Sequence, residues 1–154
     1  MADRAVSPVV GVILMVALTV LFGATVGTML LGTATPDHGT TVRLSADADA
    51  TANAIALTHE GGDPLDVSTI DVAITVGGTP LDYQPPVPFF AATGFVSGPT
   101  GPFNSKTTGE WTAGETATLE LATTNDPLLT ADEPVAITVS DADTVLARLE
   151  TTAE

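Results

Sequence analysis

The chain contains no cysteine. That excludes a disulfide framework, a thiolate metal site and a cysteine nucleophile, so an exported domain of this sequence must hold itself together by its core. Basic residues are nearly as scarce: four stand against 19 acids, for a net charge of −15. Outside the amino-terminal stub they are Arg43, Lys106 and Arg148. So acidic a surface repels polyanions, which makes nucleic acid and anionic lipid poor partners. Histidine occurs twice, at His38 and His59. His59-Glu60 lacks the second histidine of a zinc-protease helix. Asp47-Ala48-Asp49 and Asp141-Ala142-Asp143 offer oxygens to a divalent cation, but in so acidic a chain they read better as solvated turns. No glycine-rich phosphate loop follows a strand pattern, and no nucleophile stands beside a base. The sequence therefore predicts no metal, no cofactor and no enzymatic activity. Asn53, Asn104 and Asn125 all fail the Asn-x-Ser/Thr pattern, which argues against N-linked sugar and leaves O-linked sugar on the threonines open.

What is abundant is of two kinds. The first is acid: one lysine, many Asp, Thr and Ala and few large aliphatics in the later part of the chain resemble proteins of extreme halophiles. Concentrated salt screens the self-repulsion of a surface of one sign. The second is an apolar run. After the charged pair Asp3-Arg4, no charged residue occurs from Ala5 to Pro36. Ser7-Pro8 is a helix-start signal, since Ser can cap and Pro fits the first helical position. Gly32 and Pro36 suit a stop. The run is apolar on every face, and about 26 helical residues would span roughly 39 Å, longer than the roughly 30 Å hydrocarbon core of a bilayer. An ordinary secretory signal has an apolar stretch of only about 7–15 residues. The run therefore reads as a permanent single-span anchor, or as a helix that begins in the membrane and ends in a filament. Gly11, Ala17, Gly23, Ala24, Gly27 and Gly32 lie within it, with Gly23 and Gly27 in a GxxxG spacing. Association of helices in lipid relies on such small residues for close backbone packing, although the spacing is common in spanning helices generally.

The order Asp3-Arg4-Ala5-Val6-Ser7-Pro8-Val9-Val10-Gly11-Val12-Ile13-Leu14-Met15-Val16-Ala17 resembles the amino-terminal segment of archaeal type IV pilins, those of halophilic archaea above all. Charged residues, a small residue and then an unbroken apolar helix form the arrangement of a class III (prepilin) signal. The resemblance implies cleavage by a membrane prepilin peptidase on the cytoplasmic side, after Ala5, with Asp3, Arg4, Ala5 and Val6 as the processing residues. It further implies a cytoplasmic assembly ATPase, a membrane platform protein and other copies of the chain as partners. Bacterial relatives usually carry Glu at the fifth residue after the cut; here that residue is Val10. An ion pair there cannot set register. Ser7 and Pro8 at the helix start and Gly11, Gly23 and Gly27 along it are the residues expected to serve assembly.

Beyond Pro36 the period changes from helix to strand. Residues 41–46, 54–58, 67–76, 116–121, 134–139 and 144–149 carry strand-like apolar patterning. Gly77-Gly78 reads as a two-residue hairpin turn. Residues 61–64, 112–115, 125–127 and 141–143 read as turns. The expected fold is α+β: a leader at 1–5, an apolar helix at 6–35, and an acidic antiparallel immunoglobulin-like β-sandwich at 36–154.

One segment departs from the acidic rule. Residues 83–109 hold no acid, and six of the 11 prolines lie in or beside them. So do all the aromatics outside the helix: Tyr83, Phe89, Phe90, Phe95, Phe103 and Trp111. The rings either extend the core of a domain short of large apolar residues, or form a contact surface between subunits or for adhesion. The composite expectation is a structural pilus subunit serving adhesion or biofilm, membrane-bound as a precursor with its amino terminus in the cytoplasm, then extracellular. A monomeric membrane-anchored surface-binding protein and a minor, priming pilin are the alternatives.

Overall fold

A computed structural model describes residues 6–32, 39–107 and 109–154. The chain divides into two compact units, Met1–Gly39 and Thr40–Glu154. In the first, Val6–Gly32 forms one helix, α1, of 27 residues, about 40 Å at 1.5 Å per residue. It begins slightly before the Ser7-Pro8 signal, so Pro8 is the third helical residue rather than the first. The difference costs nothing, because the first four N–H groups of a helix have no partner within it. Asp3, Arg4 and Ala5, and the expected end of the helix at 33–35, lie outside the described residues.

The second unit is built of antiparallel sheets. β1 (Val42–Asp49) pairs with β2 (Ala54–Gly62), and β2 pairs with β7 (Thr116–Glu120), in the order β1-β2-β7. The larger sheet has the order β5-β4-β8-β9, from Thr79–Pro80, Ile70–Val76, Pro134–Asp141 and Thr144–Thr152. A short pair joins β3 (Leu65–Asp66) to β6 (Glu110–Trp111). Period-two alternation explains these strands. Ile70, Val72, Ile74 and Val76 of β4 are buried, as are Val135, Ile137 and Val139 of β8, and Ile55 and Leu57 of β2. All meet in one hydrophobic cluster shared by the sheets.

The turns follow side-chain chemistry. Gly77 and Gly78 both have positive φ (57° and 83°) between β4 and β5, the backbone a two-residue hairpin with matching twist requires. Asp49 Oδ1 accepts from the N–H groups of Thr51 (2.8 Å) and Ala52 (3.0 Å), which bends the chain between β1 and β2. The expected strand at 67–76 is interrupted. Asp66 Oδ1 captures the Ser68 N–H at 2.9 Å and its hydroxyl at 2.6 Å. That local bond competes with a sheet ladder, and β4 starts only at Ile70. Asp47-Ala48-Asp49 lies within β1 rather than in a turn. Gly61-Gly62, expected as a turn, ends β2 opposite an irregularity at Arg43/Leu44. There the Asp63 N–H bonds Thr41 O (2.9 Å) and Asp63 Oδ2 accepts from the Thr41 N–H (2.9 Å).

Candidate functional site

Two surfaces stand out, one in each unit. On α1, none of the residues from Pro8 to Val26 is buried, and the stretch is long and apolar enough to cross a membrane. Its exposed side chains include Val9, Val10, Val12, Ile13, Leu14, Met15, Val16, Leu18, Val20, Leu21, Phe22 and Val26. At about 1.5 kcal/mol or more per side chain, leaving this set in water costs on the order of 20 kcal/mol. Thr19 and Thr25, within the helix, do not relieve its apolarity. The Thr19 hydroxyl donates back to Met15 O (3.0 Å) and Val16 O (2.8 Å), and that of Thr25 to Leu21 O and Phe22 O (both 3.0 Å). Polar groups satisfied within the helix are those an apolar surrounding tolerates.

Glycine inside a helix costs about 1 kcal/mol relative to alanine. At Gly11 and Gly23 an added Cβ would meet no atom within 4 Å. Among the described residues, nothing packed on these positions therefore calls for glycine. Gly27 follows Gly23 by about one turn of α1, on the same side of the helix. Ser7 lies in its first turn, and Val10, lacking a carboxylate, is exposed.

The second surface belongs to the acid-free segment, and the six aromatics in or beside it divide. Phe89, Phe95, Phe103 and Trp111 are buried. Trp111 and Phe103, both 0% exposed, meet edge to face with centroids 5.1 Å apart, and Trp111 packs the same way on His59 at 5.8 Å. Phe89 and Phe95 lie 5.6 Å apart. These four rings face the core and offer no surface. Tyr83 (45% exposed) and Phe90 (44%) do offer one, with Val96 (42%) on the same segment. The Lys106 ammonium stands over the Phe90 ring, 4.0 Å from its centroid.

The residues that place this surface were not singled out by sequence. Asn125, 3% exposed, donates from Nδ2 to Tyr83 O (3.0 Å) and Gly94 O (3.1 Å). Its Oδ1 accepts from the N–H groups of Tyr83 and Asp126, both at 3.1 Å. Gln84 copies a neighbouring strand: Oε1 accepts from the Ile74 N–H (2.7 Å), while Nε2 donates to Ile74 O (2.9 Å) and Leu81 O (3.2 Å). It thereby covers part of the β4 edge, which otherwise invites another strand. The Val96 N–H donates to Glu120 O and the Thr100 N–H to Thr118 O, both at 2.9 Å, which ties the segment to β7. The available signal was a lone amide on each side: Gln84 beside Pro85-Pro86, and Asn125 in a turn before Asp126-Pro127.

His59 is a core residue. Its Nε2 lies 3.0 Å from Asp63 O; a carbonyl only accepts, so Nε2 carries the proton. Nδ1 is buried without a hydrogen-bond partner. Two carboxylates titrate below their ordinary range. Asp66 is lowered by the Ser68 hydroxyl and then the Ser68 N–H. Glu115 is lowered by the Thr112 N–H and then its hydroxyl, at 2.7 and 2.8 Å. Both carboxylates close local turns. Among the described residues no group of three His, Asp or Glu side chains is placed to hold a metal ion.

Comparison with known proteins bears on the first surface. Residues 4–44 match the family described as archaeal type IV pilin, N-terminal. An uncharacterised protein of Archaeoglobus fulgidus is 36% identical over 76 residues, which cover 48% of this chain and 54% of that protein. The chain thus spans about half the length of the curated relative it matches. The helix that cannot be left in water lies inside the matched region, and residues 4–44 of this chain are an archaeal type IV pilin N-terminal domain.

Proposed function

We propose that the chain is a structural subunit of an archaeal type IV pilus, a surface filament for adhesion or biofilm. In this reading a prepilin peptidase acting on Asp3, Arg4, Ala5 and Val6 removes residues 1–5. Then α1 leaves the membrane for a filament core, and the acidic domain faces outward. The observation that carries it is α1 itself: within the pilin-matched segment, a helix apolar on every face has no buried residue from Pro8 to Val26. Lipid and a bundle of like helices are similarly apolar surroundings, so transfer between them has little driving force. That asks for powered assembly by an ATPase and a membrane platform protein. Shared burial between the two larger sheets supports an immunoglobulin-like sandwich for the outer domain. The role is structural rather than enzymatic.

Mass spectrometry of the mature chain tests this directly. Val6 should be the first residue, and sheared surface fibres should contain the chain as their main band. A chain that keeps Met1 or Ala2 at its start overturns the processing step. Fibres with only traces of it would make it a minor pilin.

A further inference from the structure

The acid-free segment and the acidic sheet carry complementary surfaces. The first is a knob. Phe90 and Val96 are each nearly half exposed, while neighbouring Phe89 and Phe95 are buried. The one lysine of the chain sits over Phe90. An ammonium held on a ring face has few conformations to lose on binding, and the ring's attraction for it grows as water is excluded. Across residues 83–109 no carboxylate opposes that charge, in a chain of net charge −15.

The second is a hollow on the outer face of β1 and β2. Leu44, Ala48, Ile55 and Leu57 are buried, so the alternating positions face outward. There Ala54 and Ala56 stand opposite Asp49 and Asp47 in the strand register. The small alanines leave a cavity of about 550 Å³, with Asp47, Asp49 and Glu154 among the residues that line it. Its lining combines alanines with three carboxylate residues, the chemical complement of an aromatic ring carrying a cation.

We propose that the Phe90–Lys106 knob of one copy docks into the Asp47–Asp49–Glu154 hollow of a second copy. This rests on the filament reading and names a contact between its outer domains. Where each copy's knob enters the hollow of the next copy and not the reverse, the contact is heterologous. It repeats into an open helical array unless the rotation closes a ring. It also answers the charge problem: acidic subunits would otherwise meet like charge on like charge.

The single lysine makes the test specific. Sheared fibres are treated with a zero-length carbodiimide coupler, and the covalent dimer is digested for mass spectrometry. The expected product joins Lys106 to Asp47, Asp49 or Glu154. Phe90→Ala should lower that dimer about tenfold, and Arg148→Gln should leave it unchanged. Lys106→Asp should lower fibre yield about tenfold, and adding Asp47→Lys should restore it; that rescue separates a docking defect from misfolding. Fibres in which Lys106 stays unreacted, or is joined only to other carboxylates, overturn the docking and leave the filament reading intact. Coupling of Lys106 to a different protein or to an anionic polysaccharide overturns the second copy as occupant. Absence of the chain from all surface fibres overturns the filament reading and the docking with it.

Discussion

Asn125 is the residue on which the geometry of the exposed loop turns, and replacing it separates two effects. The side chain is buried and makes four hydrogen bonds, two given and two accepted. Three involve backbone groups of Tyr83 and Gly94, 42 and 31 residues away. Each is worth about 1 kcal/mol net, and a buried carbonyl left without a donor adds about 1–3 kcal/mol. Gly94 O keeps a second donor, the Ala122 N–H at 3.0 Å, and Tyr83 O is only part-buried, so the three long-range bonds rather than a stranded carbonyl set the cost. Asn125→Ala should therefore destabilise the outer unit by about 3 kcal/mol. Asn125→Asp keeps the shape and the two acceptor bonds but cannot donate when ionised, and it sets a carboxylate against two carbonyl oxygens. Burial and those oxygens raise the folded-state pKa of the introduced acid above its ordinary value of about 3.9. Its penalty is thus least below that value, where the acid is protonated in both states and can donate once. The penalty grows as pH rises through the unfolded value and is complete above the folded one. The assay is urea unfolding of residues 40–154, a compact unit with its own core, followed through the fluorescence of buried Trp111. An Asn125→Ala loss under about 0.5 kcal/mol, or an Asn125→Asp deficit that does not shrink in acid, would refute the assignment of Asn125 as the pin.

Three further expectations follow from the same geometry. Trp111→Ala removes a fully buried ring packed on Phe103 and His59, together with its Nε1–H bond to Glu115 O. It should cost about 3–5 kcal/mol, against about 1 kcal/mol or less for half-exposed Phe90→Ala; equal costs in urea unfolding would contradict the division of the aromatics. The lowered pKa values of Asp66 and Glu115 stabilise the fold above the ordinary carboxylate range, and that contribution is lost as pH falls through the folded values. Ser68→Ala should move the Asp66 titration, read by NMR, back toward that range; an unmoved titration would deny the Ser68 bonds their role. In α1, Gly23→Leu and Gly27→Leu should abolish fibres while membrane insertion persists, and unchanged fibres would place both glycines away from the packing surface.

How much was legible in the sequence depended on whether the signal was periodic. The helix was plain, because 27 residues without a charge, and with few polar ones among them, have no other reading. The strands of the two larger sheets followed from alternation, except the two-residue β5, and Gly77-Gly78 from the backbone it must adopt. What stayed hidden depended on single polar side chains acting at a distance. Alternation alone runs through 67–76; it takes the Asp66 carboxylate to turn the chain at Ser68. Likewise, composition marked residues 83–109 as unusual but could not sort the rings. Phe89 and Phe90 are adjacent and chemically identical, yet one is buried and the other bears Lys106. That sorting goes with contacts distant in sequence: the Phe89 N–H donates to Phe103 O (2.9 Å), the Ser105 N–H to Phe89 O (3.1 Å), and Val96 and Thr100 are tied to β7.

The two parts of the chain answer opposite solvent problems, and this bears on how an assembly could form. α1 needs surroundings without water, yet lipid serves it nearly as well as other helices do. The helix alone therefore supplies little reason to leave the bilayer, and close packing at Gly11, Gly23 and Gly27, as proposed, would add only a modest preference. The outer domain is fully at home in water, and its charge of one sign opposes crowding. A filament built from such subunits needs some place where outer domains attract one another, or it depends on the helices alone. The acid-free segment is the part of the outer domain whose exposed surface is apolar and carries a cation without an opposing carboxylate in its own sequence. Salt discriminates between the two dependences. Ionic attraction between Lys106 and an acidic hollow weakens as screening increases, whereas apolar contact at Phe90 does not. If both act, Phe90→Ala fibres should fall apart at lower salt than wild-type fibres. Equal salt tolerance of the two would assign cohesion to the helices and leave the knob without a part in it.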